Sequence, residues 1–155
     1  MRTRIDHKML EQGYCWGEYE VTVDTGPRIR LNSAIVKVLE EHAVQELWRY
    51  PDPTGPRMIL CPGQHRSTYM KAAQQNFPSS LEPEDAYRRF ICVGKPVRIH
   101  SRGKVSITTA CKKHCGIKEG EQAVILGVGL WYEVWRWDDW ASQTRTGATE
   151  QRAHS

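Results

Sequence analysis

The sequence predicts an α+β fold built from two copies of one small β unit with short helices, and three observations predict it. The segment YEVTVDTGPRIRL, Tyr19 to Leu31, alternates apolar and polar side chains on both sides of Gly26 and Pro27, the period of two strands joined by a turn. The pattern returns from Val97 in VRIHSRGKVSI, with Val21 laid on Val97, Arg28 on Lys104, Ile29 on Val105 and Leu31 on Ile107, an offset of 97 − 21, or 76, residues. Each occurrence is followed by a short helical pattern and then by a hairpin. A period of this length is too great for a solenoid and points to a duplicated unit of about half the chain.

The elements follow in order. Residues 1–16, MRTRIDHKMLEQGYCW, carry one short apolar pair and read as a loosely ordered lead-in with a helical turn at Met9 and Leu10. After the first strand pair, Ser33 is placed to cap a helix whose apolar face is Ile35, Val38 and Leu39, the i, i+3, i+4 spacing of one helix side. Leu47–Tyr50 and Arg57–Leu60 read as a hairpin across PDPTGP, and a helix is expected within Gln64 to Gln75. A further helix begins at Pro83, with Glu84 and Asp85 early and Arg88 and Arg89 late, matching the sign of the helix dipole. The second copy continues with a short helix stopped by Gly116 and a hairpin, QAVILGV and LWYEVW, turning at Gly127 to Gly129. The halves are therefore drawn as 17–76 and 77–142, and residues 143–155, which hold no large apolar side chain, as a disordered tail.

The bulk properties fit this plan. A chain of 155 residues with 39% apolar composition can bury a core without staples. No apolar run is long enough to span a bilayer, and Cys15, Cys61, Cys92, Cys111 and Cys115 are odd in number and scattered, unlike a secreted disulfide framework. A soluble, cytoplasmic protein with no membrane partner is expected. The net charge of +4 is modest, so its placement matters more than its size.

These stretches resemble the MraZ family of bacterial regulators. VDTGPRIRL resembles the family's turn of aspartate, three residues and arginine, and IHSRGKVSITTACKKHCGI its second copy. GEYEVTVD is similar to the opening strand, MILCP to the first hairpin, EPEDAYRRFICVGK to the central helix and LWYEVWRWDDW to the closing strand, so the likeness runs from about Gly17 to Gln143. The resemblance implies a two-copy fold of the SpoVT/AbrB-like swapped-hairpin kind, a ring-like homo-oligomer, and repression at promoter repeats upstream of cell-division and cell-wall genes, hence nucleoid association. The chain departs from the pattern at Pro27, where the family has glycine, at Asn32, where it has proline, and at His100 and Lys104, which replace the second aspartate and arginine.

A DNA-binding turn needs cations for phosphates and planar donors for base edges, and arginine supplies both. By the resemblance Arg28 is the base reader. Asp24, four residues earlier, equally suits a pairing that only fixes the turn, and the two roles are compatible. Arg30 shares Arg28's strand face and extends the basic surface or is merely solvated. From Val97 to Lys118 there are six cations, Arg98, Arg102, Lys104, Lys112, Lys113 and Lys118, and no acid. Lysine is a point charge without a fork, so Lys104 suits phosphate contact. The first turn is expected to supply discrimination and the second affinity, with Asp24 and His100 structuring the turns.

Other constellations read as structural. Cys111, His114 and Cys115 share a helix face, but Cys111 and Cys115 fall on Ile35 and Leu39 of the first copy, so buried thiols are expected and no metal. His100 reads as a hydrogen-bonded surface residue. Trp131, Trp135 and Trp137 alternate onto one face and are expected in the core or between subunits. No nucleotide-cradling glycine loop, nucleophile elbow or HExxH pattern occurs, so neither enzyme activity nor a cofactor is expected. The reading is a sequence-specific regulator binding double-stranded DNA as a symmetric oligomer. Its rivals are a non-DNA-binding oligomeric scaffold and an AbrB-type antitoxin.

Overall fold

The computed structural model describes residues 13–99 and 103–144. The fold is α+β. In chain order the strands are β1 (Glu18–Thr22), β2 (Arg28–Arg30), β3 (Glu46–Pro51), β4 (Arg57–Pro62), β5 (Lys95–Arg98), β6 (Lys104–Ser106), β7 (Gln122–Gly127) and β8 (Tyr132–Arg136). The helices are α1 (Ser33–Glu41), α2 (Arg66–Gln75, entered through a 3-10 turn at Gly63–His65), α3 (Pro83–Phe90), α4 (Thr109–Cys115) and α5 over 137–144.

Six strands form one antiparallel sheet in the order β1-β7-β8-β4-β3-β5, and β2 pairs with β6 in a separate ribbon. The two expected strands on either side of Gly26 and Pro27 do not form a ladder with each other. The turn is closed by main-chain bonds between Asp24 and Arg28, while β1 pairs with β7 and β2 with β6. The pairing reads alike from either end: β1 lies on β7 and β5 on β3, fourth strand pairs with fourth, and second with second. The register agrees, because Val21 faces Ala123, and 76 residues onward from one and back from the other Val97 faces Leu47. Loops obey the same offset: Leu31 N–H donates to Gly103 O at 2.8 Å and Ile107 N–H to Pro27 O at 3.0 Å. The hairpins differ in length, since Pro51 faces Met58 but Gly127 faces Tyr132, which makes the second turn two residues shorter.

Both faces of the sheet are covered, which is why all six residues of β4 are buried. Met58 and Leu60 point to a core shared with Ile29, Val105, Ile35, Leu39, Cys111 and Cys115. Ile59 and Cys61 point the other way, onto Tyr69, Ala72 and Ala73 of α2 and onto Trp131. The ribbon with α1 and α4 therefore forms one layer and α2 the opposite one.

The cap of α1 lies one residue before the expected Ser33, and α4 is capped in the same way. Asn32, at φ −56° and ψ 145°, caps α1 by accepting Ala34 N–H, and Thr108 caps α4 by accepting Cys111 N–H. Ser33 and Thr109 instead open the helical turns, because the extended residue just before each helix is the one whose side chain can turn back onto free N–H groups. Gly116 ends α4 in the left-handed region at φ 69°. The expected helices at Gln64–Gln75 and from Pro83 both form.

The ends differ from expectation. Cys15, placed in the loose lead-in, is fully buried and exchanges main-chain bonds of 2.8 Å with Gly129, and Tyr14 stacks on His42 at 4.0 Å. The lead-in is thus built into the fold by Tyr14, while the turn expected at Met9 and Leu10 lies outside the described residues. The tail's first residues, 143 and 144, close α5, and the rest also lies outside. Trp131 and Trp135 are buried as expected, but Trp137 is 39% exposed. The strand ends at Arg136, so the two-residue alternation that would bury Trp137 stops there. No helix among the described residues is long and apolar enough to cross a membrane.

Candidate nucleic-acid interface

The ribbon is where both copies of the basic motif meet. Arg28 faces Ser106, Ile29 faces Val105 and Arg30 faces Lys104. Ile29 and Val105 are fully buried, so the alternation turns Arg28, Arg30 and Lys104 outward; both arginines are exposed and Lys104 is half-buried. Two cations from the first half and one from the second therefore stand on a single outward surface, anchored by two apolar side chains below it.

The first turn is held by local bonds. Asp24 N–H donates to Arg28 O at 2.7 Å and Arg28 N–H returns to Asp24 O at 3.2 Å. The main chain rather than an Asp24–Arg28 side-chain pair closes the turn, and the Arg28 side chain donates from Nε to Thr25 O at 3.3 Å. Gly26 sits at φ 110°, where a side chain is strained. Pro27 is compatible with its position because its carbonyl is the group used, accepting from Ile107 N–H, so a missing donor removes nothing there.

The remaining candidates are spread out. Arg98 is exposed on β5 opposite Glu46 and walls a cavity of about 380 Å³ with Ala43 and Gln64. Lys112 is exposed on α4. His100 and Arg102 lie outside the described residues. The structure therefore brings together Arg28, Arg30 and Lys104 and places Arg98 and Lys112 on other elements.

No family model and no curated protein matches the chain.

Two residues of the neighbourhood carried no signal in the sequence. Arg49, on β3, is 8% exposed and reaches across to the ribbon, donating from Nη1 to Ser106 Oγ at 2.7 Å and to Ser106 O at 2.9 Å. It also donates to Pro96 O at 3.0 Å and Lys95 O at 3.3 Å. A guanidinium met only by neutral acceptors is destabilised by burial, which lowers its pKa from the ordinary arginine value. Glu119, beyond the acid-free stretch, accepts Gly26 N–H on Oε1 at 2.7 Å. An acid thus stands at the basic first turn.

The thiols and His114 are structural in geometry. Cys111 and Cys115 are buried in the core as expected, and burial pushes the Cys111 thiol up to about 11. His114 Nε2 lies 2.6 Å from both Asp52 O and Gly55 O. Two carbonyls require it to be the protonated nitrogen, which ties α4 to the β3–β4 turn. Among the described residues no group of three or more His, Cys, Asp or Glu is placed to hold a metal.

Proposed function

We propose that the chain is a sequence-specific DNA-binding transcriptional regulator of the MraZ type, a repressor that acts as a symmetric homo-oligomer on promoter repeats, including those of cell-division and cell-wall genes. The observation that carries this reading is the outward row of Arg28, Arg30 and Lys104 on a two-stranded ribbon whose inward residues are sealed in the core. A two-stranded ribbon fits the major groove, and rigid backing keeps an arginine fork aligned with a base edge. We read the crossed pairing, β1 on β7 and β5 on β3, as two AbrB-like swapped-hairpin halves in which each half completes the other's sheet. One ribbon presents few cations, so several ribbons held in an oligomer would engage adjacent repeats together, and effective concentration would raise affinity beyond a single contact.

Selection from a random pool of duplexes tests the reading. One motif should be enriched, occurring as spaced repeats. A recovered pool indistinguishable from the input would contradict sequence-specific binding.

A further inference from the structure

We infer that Glu119, contributed by the second half of the chain, is a positioning residue that fixes the first turn so that Arg28 can discriminate between base pairs; the inference rests on the DNA-binding reading above. Glu119 Oε1 accepts the N–H of Gly26 at 2.7 Å, and Gly26 lies two residues before Arg28 at a left-handed φ of 110°. The carboxylate is held in place by main-chain bonds on the same loop. Gly120 N–H donates to Val23 O at 2.8 Å, and Val23 N–H donates to Glu121 O at 2.9 Å. The loop at 119–121 is therefore zipped to the residue just before the turn, and its one carboxylate aimed at Gly26 closes the turn from outside.

The matching position on the loop of the other half carries a different residue. At the same 76-residue offset Glu119 falls on Ala43, which has no side-chain acceptor. Val23 N–H to Glu121 O does have its counterpart, Ile99 N–H to Gln45 O at 3.2 Å. One of the two backbone bonds thus recurs, while Val44 N–H, at the position of Gly120, donates to Leu39 O instead, and the glutamate stands on the loop that faces the turn bearing Arg28. Restricting a turn that bears a planar fork improves selection among bases. The same negative charge repels the phosphates, so nonspecific affinity alone does not account for a carboxylate here.

The test uses the full chain and the duplex it enriches, with a scrambled duplex as reference, in fluorescence-anisotropy titrations. Glu119→Ala should lower the ratio of affinities for the two duplexes by about threefold to tenfold, the range of a charge-assisted hydrogen bond discounted for exposure. Glu119→Gln keeps an acceptor and loses the charge, so it should retain the ratio while tightening binding to both duplexes. Glu121→Ala removes a charge from the same loop without touching Gly26 and should retain the ratio. Hydrogen exchange at the Gly26 amide should speed up in Glu119→Ala and not in Glu119→Gln. An unchanged ratio in Glu119→Ala, or an equal loss in Glu119→Gln or Glu121→Ala, overturns the inference. Failure of the unsubstituted protein to prefer any duplex overturns the DNA-binding reading and this inference with it, whereas unchanged Gly26 exchange in Glu119→Ala overturns the turn-fixing role alone.

Discussion

Arg28 and Lys104 occupy matching positions of the two halves and differ in chemistry, a planar fork against a point charge. Replacing Arg28 with alanine should relax sequence preference. Replacing Lys104 with alanine should weaken all duplexes alike and reduce the salt slope by about one unit, and titrations at several salt concentrations check both. The reverse pattern would reassign the two roles. The cysteines give an independent check of burial: Cys92 is exposed, and Cys15, Cys61, Cys111 and Cys115 are buried. A thiol reagent at mildly alkaline pH should modify Cys92 at once and the other four only on unfolding; a second fast thiol would contradict the packing around it. The burial of Cys111 and Cys115 was legible because they fall on Ile35 and Leu39 at the repeat offset. Glu119 was not, since its partner Gly26 is 93 residues away and nothing local marks the contact.

At the scale of elements, periodicity located the strands and helices, because burial of one face leaves its period in the sequence. It did not locate their partners. The segment around Gly26 reads as a self-contained hairpin, yet β1 and β2 take their ladders from the other half of the chain. Alternation records which face is buried and is silent about which strand lies alongside. Arg49 shows the same blindness: its position in β3 is inward, and four hydrogen bonds to β5 and β6 rather than an acid make that tolerable. Arg49→Met should lower stability by about 2 kcal/mol, because it leaves the carbonyls of Lys95, Pro96 and Ser106 without the donor that now bridges β5 and β6. Chemical denaturation measures it, and an unaltered midpoint would show that these bonds contribute nothing net.

For the whole molecule, the pairing that reads alike from either end makes the halves interdependent, so unfolding should be a single transition followed equally by aromatic fluorescence and circular dichroism. Two separated transitions would contradict a shared core. Its pH dependence follows from the buried thiols. Burial raises the Cys111 thiol to about 11 and the Cys15 thiol to about 12, from 9.0 in the unfolded chain. The folded state thus holds protons that the unfolded state releases, and stability present below pH 9 should fall as pH rises from there toward 12. A melting temperature constant across that window would oppose it. Light scattering should give a mass of several chains if the ribbons act together. The most direct test of the central claim is a mobility-shift titration against duplex DNA from upstream of the protein's own gene, repeated at increasing salt. The account predicts a discrete complex at low salt that weakens steeply as salt rises and survives excess unrelated DNA; no complex at low salt would contradict it.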